Sequence, residues 1–261
     1  MELSASSLSS PWEIVYRRIT QHEMIVPSVA GINNALPQLS DVKSCAMLGC
    51  GGGQVELEFV CKYLPNVKKL TAVEPDADQM AAFKTRVAQL LPDVDTDFCQ
   101  ETAQSWKGSD QPFDAVMLFH CLYFVPLSER PALFNKLFDN VVANGGLVFI
   151  IISPCNILEN PTDICRFIDL LGIPSYNFMT QDIDGVQVRD MMTTTGFREC
   201  YQLSKEFQID AQEPNDDMMS VLMLWSGGKL SMEKVRRTAE EFLGSKKSIQ
   251  DDVWFGAFEK P

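Results

Sequence analysis

The feature that most constrains this chain is the stretch Gly49-Cys50-Gly51-Gly52-Gly53, set between the apolar run Ser44–Leu48 and a segment opening at Gln54 that carries Val55, Leu57, Phe59 and Val60. Backbone with so few Cβ atoms can turn tightly and lie directly against a ligand. Amides exposed at a helix N-terminus favour phosphate and other electron-rich groups. Strand, glycine loop and helix in that order open an α/β sheet of the kind that binds ligands outside the carboxyl ends of its strands. Glu74 closes the second apolar run, Lys69–Val73. A carboxylate there can accept both hydroxyls of a ribose. The glycine spacing is G-x-G-x-G, with Gln54 where the dinucleotide fingerprint has its third glycine. The combination favours a nucleoside-binding crevice over its bland alternative, a tight turn beside an exposed acid.

The same alternation continues along the chain. Ala115–Phe119 and Leu147–Ile152 are further short apolar runs, and the stretches between them have helical spacing. Asp76 and Gln79 read as a capping box ahead of Met80, Phe83, Val87 and Leu90, which share one helix face. Ser128 is the expected cap of a second helix bearing Leu133, Phe134, Leu137, Phe138, Val141 and Val142, ended by Asn144-Gly145-Gly146. Beyond Ser153-Pro154 the rhythm breaks at Asn160-Pro161, Gly172, Pro174 and Gly185, as an insertion would. Helices are expected at Gln187–Thr195, Met218–Trp225 and Met232–Leu243, and strands at Phe197–Ile209 and Val253–Phe258. Three regions result: an N-terminal helical cap (1–40), a binding core (41–155), and a covering insertion with the closing strands and helices (156–261).

Charge narrows the partners. The chain of 261 residues carries 22 Lys+Arg against 35 Asp+Glu, a formal net charge of −13. Binding to a phosphate backbone rests on neutralisation by Lys and Arg, so nucleic acids and anionic membranes are disfavoured and small or cationic ligands fit better. The eight cysteines form no C-x-x-C pair, and with two histidines no zinc spacing arises. No metal is expected. Free thiols, and a start without a basic patch or apolar stretch, suit a cytoplasmic protein; a monomer is expected.

The segments L-G-C-G-G-G-Q (48–54), A-V-E-P-D-A-D-Q (72–79), F-D-A-V-M-L-F-H-C-L-Y-F-V (113–125) and N-G-G-L-V-F-I-I-I-S (144–153) resemble the class I S-adenosylmethionine-dependent methyltransferases. Within that class the sequence is most similar to the histamine N-methyltransferases. The resemblance implies a Rossmann-like α/β fold: a seven-stranded, mostly parallel sheet flanked by helices, with a small substrate-covering region. It implies S-adenosyl-L-methionine as cofactor, with contacts at Gly49, Gly51, Glu74, Gln79 and Phe119; Gly53 belongs to the same loop. Where the family has a serine shortly after the pair matching Glu101-Thr102, this chain has Ala103, which leaves Thr102 as the candidate donor to the adenine.

For the acceptor the resemblance points to Glu23, His120, Tyr123, Phe124 and Asp251. His120 replaces a glutamine of the similar enzymes, Tyr123-Phe124 a tyrosine pair, and the stretch 250–252 lies near their C-terminal asparagine. His120 and Glu23 are the candidates for orienting an acceptor or taking its proton, since only a neutral amine attacks a methyl carbon. Their bland readings are a backbone-bonded histidine and a solvated helix charge. Trp12, Tyr16, Tyr176, Phe178 and Trp225 are further aromatics able to face a cation, or simply core. The expected function is methylation of a small amine. A nicotinamide-dependent oxidoreductase and an inactive methyltransferase-like binding protein are the alternatives.

Overall fold

A computed structural model describes residues 31–152, 170, 183–210, 231–243 and 248–261. After a one-turn helix α1 (Ile32–Ala35), the described elements are β1 (Ser44–Leu48), α2 (Gln54–Tyr63), β2 (Lys69–Val73), α3 (Ala77–Leu90), β3 (Asp95–Cys99), β4 (Phe113–Phe119), α4 (Arg130–Lys136), β5 (Val142–Ile152), α5 (Gly185–Thr195), β6 (Arg198–Asp210), α6 (Met232–Leu243) and β7 (Ser248–Glu259). The seven strands form one sheet in the order β3-β2-β1-β4-β5-β7-β6. Strands β1 to β5 are parallel, and β7 alone runs against both β5 and β6. This is the Rossmann-like sheet expected above.

Burial on both faces explains the continuous apolar runs. Met47, Met117, Phe119, Phe149 and Ile151 face α2 and α3, where Phe59 and Phe83 are fully buried. Their neighbours Leu48, Val116, Leu118, Val148, Ile150 and Ile152 face α4 and α5, against Phe134, Val188 and Met192. Period-two alternation of strand side chains divides the strands between two cores, so neither face tolerates a polar stripe.

Several boundaries differ from the sequence reading. The edge strand β3 is not expected from it: Asp95-Thr96-Asp97-Phe98-Cys99 is largely exposed and is held through its parallel register with β2. Ser128 caps nothing; residues 127–129 form a 3-10 turn, and α4 begins without a side-chain cap. That helix ends at Lys136, passes through a π-type turn over Leu137–Val141, and Val142 already belongs to β5. Leu90, expected on the buried face of α3, is 49% exposed at its last turn. Helix α5 starts at Gly185, two residues early, where Asp184 accepts from the Gln187 amide at 2.7 Å. It ends at Gly196 as expected, with φ 117°. The helix expected at Met218–Trp225 lies outside the described residues.

Candidate functional site

The chain leaves β1 toward β2 and β3 on one side, then returns to place β4 on the other. The carboxyl ends of β1 and β4 therefore flank the switch point where open α/β sheets bind ligands. The glycine loop follows β1 and His120 follows β4. A cavity of about 330 Å³ opens there, lined among others by Gly49, Gly51, Glu74, Gln79, Thr102, His120 and Phe124. That volume lies in the range of small-molecule sites.

Three glycines of the loop have distinct duties. Gly49 has φ 65°, and a Cβ on it would lie 2.5 Å from the Cβ of Cys121. Gly51 has φ 49° and open space ahead of it, the nearest atom being Gln79 Oε1 at 3.8 Å, so a side chain there would enter the cavity. Gly53 does not line the cavity. It is the N-cap of α2, and a Cβ would meet the Phe83 ring at 2.4 Å. Its glycine is required by packing rather than by a ligand. The Arg86 guanidinium of α3 donates to the Gly52 carbonyl and ties the loop down from outside.

Glu74 is held in place from two directions. Its Oε2 accepts from the Gly51 amide at 2.8 Å and its Oε1 from the Asp76 amide at 3.0 Å. A carboxylate oxygen has two acceptor lone pairs, so both retain capacity for a vicinal diol. Burial pushes this carboxyl above its ordinary range, while the Asp76 and Gly51 amides pull it back. The capping box of α3 is half realised: Asp76 accepts from the Asp78 and Gln79 amides, both at 2.9 Å, but its own amide goes to Glu74. The cap and the ribose candidate thus share one short segment. Gln79, released from the box, has its side-chain amide beside Gly51 and Gly52.

Across the cavity, Thr102 exchanges bonds with Ser105. The two hydroxyls lie 2.9 Å apart, and the Ser105 amide donates to Thr102 Oγ1 at 3.1 Å. A serine does follow the Glu-Thr pair, at Ser105, although the sequence offers only Ala103 next in line. Phe119, expected at the cofactor, is instead core. It is 1% exposed and edge-on to Phe59 at 5.4 Å.

His120 has φ 52°, the one positive value outside glycine among the described residues. Such a conformation costs of order 1 kcal/mol and concentrates at functional sites. Its amide donates to the Ile151 carbonyl at 2.8 Å, and its Nδ1 lies 3.2 Å from the Tyr123 hydroxyl. Burial pulls the imidazole down to about 4, so it is neutral near neutral pH. Tyr123 is buried behind His120, its ring stacked on the imidazole at 6.3 Å, and does not line the cavity. Phe124 does line it and is 45% exposed.

Glu23, Trp12, Tyr16, Tyr176, Phe178 and Trp225 are outside the described residues. Asp251 is in β7, whose pairing with β5 begins only at Trp254–Ile152. Residues 248–253 therefore project past the carboxyl end of β5, on the side of the sheet where the cavity lies; the Asp251 side chain is outside the described residues. Sequence reasoning missed Asp76, Gln104 and Cys121 in the lining. Each adjoins a named residue or segment, and adjacency was the available signal. It also missed Glu56, buried on α2, whose carboxyl burial pushes up to about 8 with Glu74 adding to the effect.

Residues 46–146 match the family described as "Methyltransferase domain". No curated protein matches the sequence significantly. Among solved structures, a Bacillus halodurans protein provisionally assigned as a methyltransferase is similar with TM-score 0.62 and 16% identity, over 87% of this chain and 98% of that one. The cyclopropane synthase MmaA2 of Mycobacterium tuberculosis gives 0.58 and 14%, over 88% and 84%. The N-methyltransferase NodS of Bradyrhizobium japonicum gives 0.52 and 12%, over 90% and 97%. At such identities the likeness is one of fold.

Proposed function

We propose that this chain, whose residues 46–146 match the methyltransferase-domain family, transfers a methyl group from S-adenosyl-L-methionine to a nitrogen of a small cationic amine of the imidazole or aromatic kind. The observation that carries the cofactor reading is Glu74, anchored by the Gly51 and Asp76 amides beside the cavity and still able to accept from a diol. The sulfonium cofactor supplies the methyl group and the driving force. The protein supplies position, and holding reactants in near-attack geometry is worth roughly 7–11 kcal/mol.

His120 acts here as an orienting acceptor or donor rather than as a proton sink. Moving a proton from an alkylammonium of pKa about 10 onto a group near 4 costs roughly 8 kcal/mol. The acceptor nitrogen therefore reacts from its neutral form: an alkylammonium gives its proton to water, whereas an imidazole nitrogen is already largely neutral near pH 7. Phe124 offers a ring face to the cationic reactants, and Glu23 and Asp251 complete the acceptor site in this reading. The amine class is supported by the net charge of −13 and by the resemblance to histamine N-methyltransferases, which extends through 119–125.

Calorimetry with S-adenosylmethionine, S-adenosylhomocysteine and NAD(H), followed by labelled-methyl transfer to histamine, histidine, an indole amine, a phenol, a carboxylic acid and an alkene, tests the proposal. Glu74→Ala is expected to weaken cofactor binding at least tenfold, since charge-assisted contacts are worth about 1.5–3 kcal/mol each. His120→Ala should retain cofactor affinity and lose transfer. Labelling of the acid, phenol or alkene with every amine inert would overturn the amine assignment, and NAD(H) binding alone would overturn the methyltransferase.

A further inference from the structure

Lys136 closes α4 on the far side of the cavity wall, half-buried. An ammonium has three donors. All three are engaged by one short loop: Nζ donates to the carbonyls of Ala103 at 2.6 Å, Gln104 at 3.1 Å and Trp106 at 2.7 Å. Burial lowers the affinity of this amine for its proton, and the Glu101 charge raises it. Neither helix nor strand turns the carbonyls of 103, 104 and 106 toward one point; the three donors of the Lys136 ammonium are what they share. The other side of the same loop is the cavity, which Thr102, Ala103 and Gln104 line. The Thr102–Ser105 exchange locks its start, and Trp106, buried against Phe113, anchors its end.

We infer that Lys136 is a positioning residue for the cofactor: by gathering the carbonyls of 103, 104 and 106 it sets the wall Thr102–Gln104 at the depth where the base of the adenosyl group is read. The role rests on the cofactor reading above and touches neither the methyl group nor the acceptor. Its signature is a split. Ground-state recognition of the adenosyl base depends on Lys136, and turnover at saturating cofactor does not.

Lys136→Met keeps the length of the stem and removes the three donors. The expected result is a Kd for S-adenosylhomocysteine at least tenfold weaker, a KM for S-adenosylmethionine raised in parallel, a kcat within threefold, and reduced discrimination between S-adenosylhomocysteine and its inosyl counterpart. Lys136→Gln retains two donors and should fall between, at least threefold weaker, which keeps the test decisive if the Met variant does not fold. Unchanged affinity in a folded variant overturns the role. So does a proportional loss of kcat and binding stoichiometry with discrimination intact, the mark of simple destabilisation. Wild-type protein that binds no S-adenosylhomocysteine overturns the cofactor reading first, and the role of Lys136 with it.

Discussion

Glu56 is a carboxyl group in a place where charge is costly. It is 4% exposed on α2, where the Glu74 charge adds to the effect of burial, Arg86 opposes it, and its own charge raises the Cys50 and Cys121 thiols. Its folded pKa, raised to about 8, exceeds its unfolded value. The folded state therefore holds a proton that the unfolded chain releases above pH about 4.3. Stability from this group is complete below that pH and declines as pH rises toward 8, by up to about 1.4 kcal/mol per pH unit. Glu56→Gln mimics the neutral acid and removes the slope. Thermal melts from pH 5 to 8.5 should show the variant gaining on wild type as pH rises; parallel curves would contradict it. This residue was invisible in the sequence, where a Glu on a helix reads as solvated. The motif residues Gly49, Gly51 and Glu74 were legible because backbone approach and strand-end position narrow the choice of residue. Gly53 and Phe119 show the limit of that logic: both stand within or beside motifs, yet Phe83 and Phe59 are what they touch.

At the scale of elements, legibility followed burial. The strands β1 and β2 have the bounds their apolar runs suggest, because a strand covered on both faces reads as a nearly continuous apolar run, broken here only by Ser44, Lys69 and Thr71. β3 has the pattern of a turn or loop, and only its register with β2, with Lys69 and Asp97 paired at 3.4 Å, makes it a strand. The start of α5 is another case. Gly185 resembles a breaker in the sequence, but it opens the helix behind the Asp184 cap, where a Cβ would stand 2.4 Å from the Trp254 indole. Alanine at a helix N-terminus gains at most a few tenths of a kcal/mol in propensity, against roughly 1–3 kcal/mol for overpacking. Gly185→Ala should therefore lower the melting temperature by several degrees and leave cofactor affinity unchanged. A variant as stable as wild type would show that Trp254 can move aside.

For the molecule as a whole, the placement of β7 governs the order of assembly. β7 lies between β5 and β6, pairing with both, although it follows them in the chain. While the ribosome is still making residues 248–259, the row Leu147–Ile152 on one side and the thirteen residues of β6 on the other have open ladders. Unpaired apolar edges recruit other chains. The nascent protein thus has a window of vulnerability that closes only when β7 pairs, and chaperone dependence should concentrate there. A chain cut after residue 247 should accumulate as aggregate, and supplying residues 248–259 as a separate peptide during refolding should recover soluble material; a soluble, monomeric truncation would show that β5 and β6 can pair without it.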